Sequence, residues 1–177
     1  MQKENNKKYI YQDEPAKQMS PSLLSYFGTR MKIHVMSVKG GDDYSILECY
    51  MPAGVTSGTH LHIEEEETIH LREGELELEL LGQRSIIKAG DSIYLPKGAA
   101  HNLSNKGNVE ARFFLVHSKG QFADFVNIVG RPLGIFPIPA MVRIEANELE
   151  LLNHLGSMHQ INYHSSPVNA DNELIYM

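Results

Sequence analysis

The 177-residue chain has no tryptophan and a single cysteine, Cys49. One cysteine excludes an intrachain disulfide, so the fold must be held by packing and hydrogen bonds, as suits a reducing compartment. Cys49 lies in the apolar run Ile46–Met51 and reads as a small buried hydrophobe rather than a nucleophile. Positive charge is scarce: 16 Lys and Arg face 22 Asp and Glu, and the net charge of −6 argues against general nucleic-acid binding. Long apolar runs are absent. None approaches the roughly 18 residues that a membrane span needs. The opening MQKENNKKYIYQDEP lacks the apolar stretch of a secretory leader. These absences predict a cytoplasmic chain with neither nucleic acid nor membrane as partner.

Long helices are missing from the middle of the chain as well. From residue 32 to 112 the pattern is short β-prone runs separated by Gly, Pro and Asn/Asp turns. The runs are Ile33–Val38, Tyr44–Met51, Thr59–His62, Glu67–Leu71, Glu75–Leu81, Arg84–Lys88, Asp91–Leu95, Ala100–Ser104 and Ala111–His117. Many short strands at this spacing predict an all-β sandwich or barrel. In Glu75-Leu76-Glu77-Leu78-Glu79-Leu80 the strict alternation sends the leucines to the core and the glutamates to water. The expected division is an N-terminal arm over 1–29, a barrel over 30–118 and a helical extension over 119–177 packed on the barrel. In that extension Gln121–Val129 and Asn147–Leu155 are the expected helices, Asn147 serving as N-cap and Gly156 as C-terminal stop. The proline-broken 131–139 stretch between them is an ordered loop and a candidate lid.

Two stretches carry chemistry. The first contains Gly54, His60, His62, Glu67 and Gly74; the second contains Gly90, Pro96, Gly98, His101 and Asn105. His60 and His62 are two apart, so a strand turns both to one face. Three imidazoles and one carboxylate form a ligand set for one divalent transition metal: Fe, Mn, Ni, Co, Cu or Zn. Glu64, Glu65 and Glu66 compete with Glu67 for the carboxylate role. Parity favours Glu67: with it inward, Ile69 and Leu71 also face in, while Thr68 and His70 face out. His117 ends an apolar strand and is read as structural. His34, His154, His159 and His164 are read as surface or packing residues.

Both stretches resemble the two motifs of the cupin superfamily, position for position, and the sequence HLHIEEEETIHLREGELELEL with its helical tail resembles single-domain bacterial quercetin dioxygenase-like cupins. The resemblance implies a double-stranded β-helix, the cupin jelly-roll barrel, with a short helical C-terminal extension and a 3-His/1-Glu metal centre. The implied activity is a dioxygenase reaction on a flavonol-like or other small enolisable substrate. Glu67 would be both ligand and catalytic base. Substrate contacts are expected from Tyr50, Ile69, Phe113 and Phe114, and a homodimer is expected. Two alternatives stay open: a metal-containing isomerase or lyase, and a cupin that binds a small molecule without turnover. The polar stretch before the barrel is too short for a helix-turn-helix domain, which counts against a regulator of transcription.

Overall fold

The computed structural model describes residues 23–36, 44–133 and 146–164, the side chains of 146–149 and 151–152 excepted. Its strands are β1 (Leu23–Tyr26), β2 (Thr29–Val35), β3 (Ser45–Met51), β4 (His60–His62), β5 (Glu67–Glu73), β6 (Glu75–Leu80), β7 (Gln83–Lys88), β8 (Ser92–Leu95), β9 (His101–Ser104), β10 (Ala111–His117), β11 (Arg131–Pro132) and β12 (Ile161–Tyr163). Helix α1 spans Gln121–Val129 and α2 spans Ala146–Met158. The strands form two antiparallel sheets, ordered β11-β1-β2-β3-β10-β5-β8 and β12-β4-β9-β6-β7. This is the all-β double-stranded β-helix expected from the sequence, with its two sheets packed face to face. No helix among the described residues is long and apolar enough to cross a membrane.

Alternation builds the core. In β10, Ala111, Phe113, Leu115 and His117 are buried while Arg112, Phe114 and Val116 are half-buried on the opposite face. In β5 the inward set is Glu67, Ile69 and Leu71, as parity predicts. Leu76 and Leu78 of β6 are buried. Cys49 is fully buried in the same core, and burial pushes its thiol pKa well up, which suits a packing role.

The sheets reach beyond 30–118. Residues 23–26, assigned to the arm by the sequence, form β1, which pairs with β2 through a turn that buries Phe27. Four apolar residues among five, after Pro21, are enough to seat this strand. At the other end β12 pairs with β4, Ile161 opposite His62 and Tyr163 opposite His60. Helix α1 lies where the apolar spacing puts it, burying Phe122, Phe125 and Val126.

Helix α2 departs from expectation. It starts at Ala146, which places Asn147 in the first turn, and it runs through Gly156 to Met158. Gly156 is therefore not a stop. A Cβ there would lie 3.1 Å from the Ile161 carbonyl oxygen and 3.3 Å from the Tyr163 ring, so glycine lets the helix pack against β12. Leu149 and Leu152 of the expected apolar stripe lie outside the described side chains, as do residues 1–22, most of the 131–139 loop and the end of the chain from 165.

The motif residues that bear no metal chemistry hold the two stretches together. Asn105 gives its side-chain NH2 to the carbonyls of Met51 and Val109 and accepts the Gly107 N–H, while its backbone exchanges hydrogen bonds with Gly54 and Val55. Gly74, between β5 and β6, has φ +81, and a Cβ on it would meet the Ala111 Cα at 3.1 Å. Gly82 has φ +79 with open space around it. Gly74→Ala therefore suffers both backbone strain and a clash with β10. It is expected to lose about 2 kcal/mol, or about 4–8 °C in melting temperature, and more than Gly82→Ala. Equal losses in thermal melts of the two variants would mean that contact with β10 is unimportant.

Candidate metal centre

The site lies where the two sheets face each other. The five-stranded sheet supplies His60 and His62 from β4 and His101 from β9, with His60 directly opposite His101 in the ladder. The seven-stranded sheet supplies Glu67, which opens β5 opposite His117 on β10. One ligand atom from each of His60, His62, Glu67 and His101 lies within 4.8 Å of the other three, and all four residues are buried. Alternation explains His60 and His62, whose intervening Leu61 points the other way.

Hydrogen bonding settles two tautomers. His60 Nδ1 lies 3.0 Å from the Gly58 carbonyl oxygen and His101 Nδ1 2.9 Å from that of Ala99. A carbonyl only accepts, so each Nδ1 carries a hydrogen, and Nε2 is the ring nitrogen left to face the donor group. Burial, with His101 and His62 adding to it, holds the His60 pKa well below its usual 6.5, so the ring stays neutral. Burial raises the Glu67 pKa, but the surrounding imidazoles of His101, His117 and His62 outweigh it and keep the carboxyl well below its usual range. An anionic carboxylate grouped with imidazole nitrogens suits a divalent transition metal.

His62 differs. Burial pulls it towards neutrality, but the carboxylates of Glu65 and Glu67 outweigh that and hold its pKa up to about 9. Its Nε2 lies 3.3 Å from Glu67 Oε2 and its Nδ1 3.5 Å from Glu65 Oε2. In the metal-free protein His62 therefore carries a proton that an incoming metal must displace.

Glu65 is a residue whose role the sequence hides. It is buried, and its carboxylate accepts the N–H groups of Gln121 at 2.7 Å and Phe122 at 2.9 Å, closing the N-terminus of α1. The only sequence signal was that it shares Glu67's parity within a run of four glutamates. His117 was read as structural, and it is fully buried with Nε2 3.3 Å from Glu67 Oε2.

A cavity of about 30 Å³ lies beside the donor group. His60, Glu67 and His101 line it, with Phe113, Phe122 and other apolar residues. Two tyrosines close it, Tyr26 from β1 and Tyr163 from β12, their hydroxyl oxygens 2.5 Å apart. Burial pushes both phenols above their usual pKa, so both stay protonated. Tyr163 stacks on His60, ring centroids 5.4 Å apart at 25°. Of the expected substrate contacts, Phe113 lines the cavity, and Ile69 is buried in the core without lining it. Tyr50 and Phe114 are on the other face of their sheet. Tyr50 lies under the guanidinium groups of Arg30 and Arg112, and Phe114 lies against His34. Both faces of 111–116 carry apolar residues, so sequence alternation alone left Phe114 on either side. His70 faces out and bonds to Ser92, as parity predicts.

The family described as Cupin domain matches residues 46–117. An uncharacterised protein of Methanocaldococcus jannaschii is 33% identical over 69 residues, 39% of this chain and 55% of its own length. The chain thus spans about half of the curated relative that it matches. Among solved structures, a putative sugar phosphate isomerase from Acidithiobacillus ferrooxidans is 27% identical with TM-score 0.41, covering 42% of this chain and 49% of its own. An uncharacterised double-stranded β-helix protein from Klebsiella pneumoniae is 22% identical with TM-score 0.48, covering 54% and 81% respectively. Bacillus subtilis oxalate decarboxylase, a protein with Mn(II) centres, is 17% identical with TM-score 0.49, covering 56% and 28%.

Two outcomes follow. His101→Ala removes one of the four donors and should drop bound transition metal from about one ion per chain to near none, measured by elemental analysis after adding metal back; unchanged occupancy would sink the assignment. The second outcome concerns pH. His62 has a folded pKa of about 9 against a usual 6.5, so the stability that its protonation brings is complete below pH 6.5 and is lost as pH rises through 9. The metal-free protein should melt progressively lower across that window. The metal-loaded protein, in which the ion replaces the proton, should show no such fall.

Proposed function

We propose, from the match of residues 46–117 to the Cupin domain family, that the chain is a metal-dependent enzyme that opens a small enolisable substrate with dioxygen. The observation that carries the proposal is the buried group of His60, His62, Glu67 and His101 bordering a mostly apolar cavity. The four residues would hold one divalent ion, which when bound supplies Lewis acidity to a substrate oxygen. Glu67 would also be the base for a substrate hydroxyl, and its low pKa keeps it ionised. Phe113 and Phe122 exclude water.

The cavity restricts substrate size. Its 30 Å³ is two to three times what a single water needs, about 10–15 Å³. A molecule of a few heavy atoms matches it; a three-ring flavonol does not enter without displacing the walls. The reading therefore narrows from flavonol-like to small substrates.

The tyrosine pair adds a group that the sequence did not announce. One hydroxyl donates to the other, and the acceptor keeps an O–H for a third partner. That O–H can bind a substrate oxygen lying across the cavity from Glu67. A neutral donor facing a carboxylate base also suits proton transfer between adjacent carbons, and this observation supports isomerase or lyase chemistry as the second reading.

Oxygen separates the two. With metal-loaded protein and small 1,3-diketones and 2-hydroxy ketones as probes, substrate-dependent oxygen uptake at an electrode is expected. Turnover that continues under argon would replace the first reading with the second. Binding of the probes without turnover in either atmosphere would leave neither. Against an active substrate, Tyr163→Phe should lower kcat/KM about 10-fold with metal content unchanged, the size of one lost hydrogen bond to a developing charge.

A further inference from the structure

The four-residue donor group leaves one neighbouring imidazole outside it. His117 is fully buried on β10, and neither of its ring nitrogens has a hydrogen-bond partner. Seven buried side-chain polar atoms among the described residues lack a partner, and five of them are ring nitrogens of His62, His101 and His117. Orphaned polar atoms in a dry interior are costly, so their concentration around one point needs a cause.

The point is Glu67 Oε2. His62 Nε2 lies 3.3 Å from it, His101 Nε2 3.5 Å and His117 Nε2 3.3 Å. None of these three nitrogens makes a hydrogen bond of acceptable geometry. Such nitrogens crowd one carboxylate oxygen without aiming at it when all of them, and the oxygen, are directed at a shared cation. His117 stands in the same relation to Glu67 as His62 and His101 do, and those two belong to the donor group.

We propose that His117 is a fifth protein ligand of the metal, completing a set of four imidazoles and one carboxylate. This rests on the metal-centre reading above and deepens it. His117 is outside the four whose donor atoms all lie within 4.8 Å of one another, and its Nε2 borders that group through Glu67 Oε2, 3.3 Å away. The cavity is lined by His60, Glu67 and His101 but by neither His62 nor His117, so the added ligand occupies the side away from substrate.

The test is nickel, which favours six-coordination. Wild-type protein and His117→Gln are loaded with one equivalent of Ni(II), and X-ray absorption at the nickel edge counts coordinated imidazoles. Four in the wild type, falling to three in the variant, is the expected result, with about a 10–100-fold loss of nickel affinity. Three in both overturns the proposal and makes His117 a neighbour that positions Glu67. Should the variant fail to fold, a crystal structure of the nickel-loaded wild type decides alone: His117 Nε2 at about 2.1 Å from the metal supports ligation, and a hydrogen bond to Glu67 in its place overturns it. A wild type that binds no nickel defeats the metal-centre reading itself, an outcome distinct from binding with three imidazoles.

Discussion

A carboxylate is buried between two sheets, and much of the molecule is arranged to keep it charged there. An isolated carboxylate in such surroundings would take up a proton. Glu67 is held ionised by imidazoles from both sides: His62 and His101 from the five-stranded sheet and His117 from its own. Each imidazole reaches it only if its strand keeps register, because a slip of one residue turns every side chain to the other face. The pairing of His60 with His101, and of Glu67 with His117, is therefore a requirement of the charge as much as of the core. The turn joining β4 to β5 is tied in the same way: Glu65 sits within it, closes the N-terminus of α1 and faces the outer nitrogen of His62. One short acidic segment thus serves the site and fastens a helix 56 residues away.

What was legible in the sequence was whatever depends on local alternation and punctuation. The strands from 45 to 117, the inward course of Glu67, Ile69 and Leu71, and the outward course of His70 all follow from a period of two. The meeting of the four donor residues was legible because glycines, a proline and an asparagine mark the turns that aim them, and Asn105 with Gly54 shows the physical reason for two of those marks. What was not legible depends on partners distant in sequence. Glu65 looks like its neighbours until α1 arrives. Tyr50 and Phe114 look like pocket residues until the outer face supplies Arg30, Arg112 and His34. Gly156 looks like a helix stop because glycine usually is one; the packed strand that demands it comes five residues later.

Cavity size and donor chemistry act together on substrate choice. The metal-binding side chains alone suit many reactions, as the chemistry of imidazole and carboxylate donors allows. On the proposed function, selection would come from the walls: Phe113 and Phe122 would exclude water and bulk, and the tyrosine pair would favour an oxygen placed opposite Glu67. The proposed substrate is then short and oxygenated at two points. A long apolar molecule would leave the spare tyrosine O–H unpartnered, a cost of about 1–3 kcal/mol that disfavours it.

The tyrosine pair also links the two ends of the described chain to the site. Tyr26 comes from the first described strand and Tyr163 from the last, and their hydrogen bond spans 137 residues. Strand β12 runs beside β4, so the backbone that carries His60 and His62 is held on one edge by Tyr163 and Ile161 and on the other by His101. Without β12, β4 would be a three-residue edge strand with one weak neighbour, free to fray by the length of a single residue. That fraying would displace His60 and His62 together, since they lie at its two ends. Tyr163 opposes it twice over, through the ladder and through its ring against His60. The closing strand of the fold and the geometry of the candidate metal centre are thus tied together, and the same side chain that lines the cavity packs against His60.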